Sequence, residues 1–157
     1  MSRRPRRGGA QRGGAQRGGA WWRWLRRDAL ALLAVTLARV LIRLPPGRLR
    51  RVMELLAAGT RPAGYRQTLA AMEAVTAVSR TCRGQSGCLP RAVATALVCR
   101  VSGRWPTWRT GVRAVGSFAA HAWVEADGLM VGESVPPDTY RPMITVRSRP
   151  RPAARVR

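Results

Sequence analysis

The sequence contains no lysine and no asparagine, and only one histidine, one phenylalanine and three cysteines among its 157 residues. Each scarcity excludes something. A lone His121, with no CxxC and no HExxH, provides no metal-ligand spacing, so neither a metal nor another bound cofactor is expected. Cys82, Cys88 and Cys99 are odd in number and form no disulfide framework. The N-terminal region is basic and then apolar, as a signal peptide would be. Arg39 and Arg43 interrupt the apolar run, and Arg and Pro follow where a small-residue cleavage site belongs. The expectation is a cytoplasmic protein with free, reduced thiols. Long apolar runs are also missing: 28–38 is nearly all apolar, about 10–11 residues against the roughly 20 of a membrane span.

Acidic residues are few, seven against 29 Arg, for a formal charge of +22. That balance invites a nucleic-acid partner. The choice of Arg over Lys, the missing Asn and the crowding of Ala, Gly and Val are what a GC-rich coding sequence imposes, so nucleic acid is not the expected partner. Eleven of the Arg lie in two acid-free tails, 1–20 and 147–157.

What is present divides into four stretches. Residues 1–20 repeat Arg-Gly-Gly-Ala-Gln imperfectly, have no hydrophobic period, and are expected to be disordered. RGG-type segments can bind RNA; a solubilising tail is the plainer reading. Residues 21–80 read as a helical region, with helices over 21–44, 49–58 and 63–80. The first is expected as a buried or partner-docking helix, with a membrane surface as the alternative suggested by its Trp/Arg start. Residues 81–146 form the core: a loop over 82–87, a helix over 89–101, then period-two strands over 108–115, 117–126, 129–134 and 143–146. A basic tail, 147–157, follows. Helices first and strands after imply an α+β fold, with an antiparallel sheet packed on helices.

The candidate chemistry lies in that core. Pro90 belongs to the first turn of a helix, which puts Cys88 at or beside its N-cap. There the helix dipole and free N–H groups lower a thiol's pKa and can hold an oxyanion. Cys99 falls on the same helix as a core thiol, and Cys82 in the loop has no evident role. His121 stands on a strand that closes a hairpin with 129–134. Two registers are open. A two-residue Asp127-Gly128 turn leaves Glu133 on the other face from His121. A three-residue loop, 126–128, sets Glu133 directly opposite His121, and this is the expected one. A carboxylate there can orient the imidazole and stabilise its charged form. Asp127 is a turn residue and the alternative third member. Glu125 is a salt-bridge or substrate-contact residue. Cys88, His121 and Glu133 are thus the candidate nucleophile, base and acid.

The run Cys88-Leu89-Pro90-Arg91-Ala92, followed by Phe118-Ala119-Ala120-His121-Ala122-Trp123-Val124-Glu125-Ala126-Asp127-Gly128 and Gly132-Glu133, closely resembles the lasso-peptide maturation proteases. These belong to the transglutaminase-like branch of the papain-type cysteine peptidases. The resemblance covers about 87–134 and implies Cys88 as nucleophile, His121 as general base and Glu133 as the acid, where the family more often has Asp. It implies removal of a leader peptide from a ribosomally made precursor. It also implies two partners: a separate leader-recognition protein, since the chain has no room for a winged-helix recognition domain, and an asparagine-synthetase-like cyclase that uses ATP. The first helix is a candidate docking surface for either. Two other classes compete: acyl transfer to an amine by the same thioester chemistry, and an RNA- or anion-binding protein acting through its basic tail.

Overall fold

The structure is a computed structural model that describes residues 20–150 apart from 134 and 137. Of the Arg/Gly-rich tail 1–20, expected to be disordered, residues 1–19 lie outside the described residues and Ala20 begins a helix; 151–157 also lie outside. Helices come first: α1 (Ala20–Leu41), α2 (Pro46–Ala57), α3 (Tyr65–Val78), α4 (Arg80–Arg83) and α5 (Cys88–Val101). A four-stranded antiparallel sheet follows, in the order β5-β4-β3-β6: β3 (Thr107–Arg113), β4 (Ala120–Ala126), β5 (Leu129–Met130) and β6 (Tyr140–Val146). The fold is the expected α+β. A short parallel pair, β1 (Arg61–Pro62) with β2 (Arg104–Trp105), joins the end of α2 to the end of α5. It carries no periodicity long enough to be read from the sequence.

α5 is the centre of the molecule. Its Ala92, Val93, Ala94, Thr95, Ala96 and Leu97 are all buried, between α1 and α3 on one side and β4 on the other. Small side chains let three neighbours approach one helix closely. The sheet meets α5 through alternate residues: Ala122, Val124 and Ala126 of β4, with Trp108 of β3, join the core. Trp105 is buried and donates from Nε1 to the Val146 carbonyl at 3.3 Å.

Three expectations need correction. The loop expected over 82–87 is a short helix, α4, followed by a 3-10 turn, and Cys82 is fully buried in the core. α1, expected as a buried or partner-docking helix, is buried on one stripe only, which corrects the fully buried reading alone: Ala31, Ala34, Val35 and Ala38 face the protein. Leu25, Leu32, Leu33, Leu37 and Val40 stand exposed. Among the described residues no helix is long and apolar enough to cross a membrane.

The third correction is the hairpin register. Ala126 pairs with Leu129 and Glu125 with Met130, so the turn is the two-residue Asp127-Gly128, not the expected three-residue loop. Both turn residues have positive φ, 51° and 79°. That conformation matches the twist of antiparallel strands, and Asp and Gly are the residues that adopt it at least cost. The three-residue loop would have demanded a left-handed residue only at Gly128. Here Asp127 takes that conformation too, and its carboxylate accepts a 2.7 Å hydrogen bond from the Tyr65 N–H at the start of α3.

Candidate active site

α5 begins at Cys88, one residue after its N-cap Gly87. The thiol is half-buried at the mouth of a cleft of about 460 Å³ between this helix end and the sheet. His121, the second residue of β4, lines the same cleft. Its imidazole is hydrogen-bonded to the Cys88 thiol on one side and to Glu133 on the other. Both carboxylate oxygens of Glu133 lie on Nε2, at 2.8 and 2.9 Å.

In the observed register Glu133 should lie away from His121. The ladder stops before that matters. Among the described residues the last hairpin hydrogen bond runs from the Val131 N–H to the Val124 carbonyl at 3.0 Å, and the chain then bends at Gly132, whose φ is +72°. Released from the pleat, Glu133 comes back across the strand to the imidazole. The His121–Glu133 contact therefore forms, but by a route other than the expected register.

Electrostatics follow from the contacts. The hydrogen bond with Cys88 and then that with Glu133 push His121 up to about 9, against burial that favours the neutral ring. The same bond with His121 holds Cys88 below its ordinary value against burial, helped by the backbone groups of Ala122 and Leu89. Each contact therefore favours the charged form of its partner, biasing the pair toward thiolate and imidazolium. The ring packs in a cluster of three: Tyr140 lies at 4.5 Å and Trp123 at 5.9 Å between centroids, and those two rings are 5.6 Å apart.

The remaining candidates separate cleanly. Asp127 is engaged at the start of α3, and the carboxylate that reaches His121 is that of Glu133. Glu125 accepts from Trp123 Nε1 at 2.8 Å and pairs with Arg109 at 3.2 Å, which is the salt-bridge role expected for it. Cys99 is buried, and burial pushes its thiol up to about 11, as suits a core position. Among the described residues no group of three or more His, Cys, Asp or Glu could hold a metal ion.

One residue of the motif had been given no role. Arg91 lies one helical turn after Cys88, so both project from the same side of α5. Its guanidinium stands 3.6 Å from Glu133 and donates to the Cys82 carbonyl at 3.1 Å. The spacing Cys-x-x-Arg was the available signal. What it could not supply was Glu133 on the far side of the guanidinium.

A thiol beginning a helix, packed against a sheet whose histidine is backed by a carboxylate, is an acyl-transfer arrangement. The sequence pattern that defines the transglutaminase-like superfamily matches residues 31–145, well over half the chain. The chain belongs to the transglutaminase-like superfamily. This superfamily commonly uses cysteine-based catalysis and includes cysteine peptidases and acyl transferases. The match runs through α1 to β6, so the helices and the sheet both fall within it. No curated protein and no solved structure matches the chain.

Proposed function

We propose that this transglutaminase-like protein is a cysteine peptidase that removes the leader from a ribosomally made lasso-peptide precursor. The observation that carries the chemistry is the line Cys88–His121–Glu133, with the carboxylate 2.8 Å from Nε2. The substrate assignment rests on the resemblance of Cys88-Leu89-Pro90-Arg91 and 118–128 to the maturation proteases.

The steps follow from the residues. The Cys88 thiolate adds to the scissile carbonyl carbon. The oxyanion that forms is near the N–H groups at the start of α5, which lack partners within the helix. The His121 imidazolium gives its proton to the leaving amine, and the C–N bond breaks to leave a thioester. Neutral His121 then takes a proton from water, which attacks the thioester and releases the leader's carboxylate. Glu133 holds the ring in position and stabilises its charged form at the first step. The freed core amine passes to an ATP-using cyclase, and a separate recognition protein presents the leader.

The test is cleavage of a precursor peptide followed by mass spectrometry, with folded Cys88→Ala and His121→Ala alongside. Each should lose leader removal. Normal cleavage by folded Cys88→Ala overturns the reading. Parallel reactions with a primary amine separate hydrolysis from acyl transfer: an amine adduct in place of the free acid would make the protein an acyl transferase.

A further inference from the structure

β6 does not run evenly along β3. Thr110 pairs with Ile144, but the next residue, Gly111, pairs with Pro142, so Met143 is an extra residue in the strand. Pro142 has no N–H to give a regular ladder, and proline is tolerated at such a bulge. Gly111 is the other half of the device. A Cβ there would stand 2.0 Å from the Arg141 carbonyl oxygen, so only glycine lets the two backbones come this close. Bulges of this kind re-aim a side chain.

The side chain re-aimed is Met143. It is 75% exposed and lines the same cleft as Cys88 and His121. Phe118, the only phenylalanine of the chain, lines that cleft too and is 84% exposed. Leu89, Val112 and Ile144 continue the lining, and among the described residues no acidic or basic side chain other than His121 joins them. Two large apolar side chains standing in water beside a nucleophile leave apolar surface for an occupant to cover. A methionine also adapts to occupants of different shape.

We propose that Met143 and Phe118 form an apolar subsite, which takes a bulky apolar side chain of the substrate within one residue of the bond cleaved. The proposal rests on the peptidase reading for its substrate class, and its physical basis is the bulge and the cleft. A charged side chain there would lose water and meet no counter-ion, so Glu and Arg are rejected.

The test reads the subsite without requiring cleavage. Peptidyl chloromethyl ketones with Leu, Gln, Glu or Arg at the reactive residue, or at the one before it, are compared for their rate of alkylating Cys88. The same residues are compared in precursor peptides. At one of the two positions Leu should exceed Glu and Arg by at least about tenfold in rate. Met143→Glu should cut the Leu rate and raise the Arg rate, reversing the order. Phe118→Ser should shrink the Leu advantage. Since Met143 and Phe118 are exposed, both variants are expected to fold, and circular dichroism checks it. Equal rates for Leu and Arg at both positions, or an unchanged Leu-to-Arg ratio in Met143→Glu, overturn the proposal. A Leu preference in alkylation with no peptide cleaved would uphold the subsite and remove the peptidase reading.

Discussion

Two carboxylates of one hairpin hold different partners, and mutation should separate them. Glu133→Gln keeps the shape but removes the charge that stabilises the imidazolium. Activity on a precursor peptide should fall on the order of 10²–10⁴-fold with the fold intact. Asp127→Ala should do the reverse. It removes the acceptor for the Tyr65 N–H and so a cap on α3, costing about 0.5–2 kcal/mol in urea denaturation and leaving turnover near its parent value. An inactive, fully stable Asp127→Ala would transfer the third role to that residue. Arg91 should behave as a positioning residue, since it touches Glu133 and the Cys82 carbonyl. Arg91→Met is expected to lower kcat while KM stays close to its parent value, and Arg91→Lys to restore part of the loss. A rise in KM alone would instead mean that the guanidinium contacts substrate.

At the scale of elements, α1 has its small residues inside and its large ones outside. Ala31, Ala34, Val35 and Ala38 let it settle closely on α5 and α3, and Leu25, Leu32, Leu33 and Leu37 face away. Enlarging the inner stripe should therefore hurt more than making the outer face polar. Ala38→Leu is expected to destabilise by about 1–3 kcal/mol through overpacking. Leu33→Gln, at a position 68% exposed, should stay within about 0.5 kcal/mol. Urea midpoints of the two variants check the order. Its reversal would mean that the leucine face is covered when the protein is in solution.

For the whole molecule, pH is the informative variable. His121 is raised to about 9, so its share of stability is present below its unfolded value near 6.5 and is lost as pH rises through about 9. Cys88 is lowered, so its share is present above the unfolded thiol's value and is lost as pH falls through the folded one. The two contributions slope in opposite directions with pH, so they offset one another where both groups titrate. Cys88→Ser removes the titrating thiol but leaves Glu133 on Nε2. That variant should lose more stability than the parent between pH 6 and pH 8 in urea denaturation. Peptide cleavage should decline above about pH 9, where His121 no longer carries the proton for the leaving amine. Undiminished cleavage well above that pH would show that another group is the acid.

Much of this protein follows from local pattern. The single histidine, the cysteine before Leu89-Pro90, and the change from helical to alternating period after Trp105-Pro106 are sufficient for the α+β class and for Cys88 and His121 as candidates. Those features depend on neighbours a few residues away, which is what periodicity and capping record. The rest was decided by contacts between distant segments. Asp127 and Gly128 permit either hairpin register. The two-residue turn prevails where Asp127 also finds the Tyr65 N–H, which no spacing within the hairpin could disclose. Glu133 meets His121 because the strand ends at the bend of Gly132, not because the ladder carries it there. Burial of Cys82, the use of Arg91 and the turning of Met143 into the cleft likewise depend on which backbones lie against one another. Alternation along a strand says which face a residue takes while the strand lasts; where the strand stops or bulges is set by the packing around it.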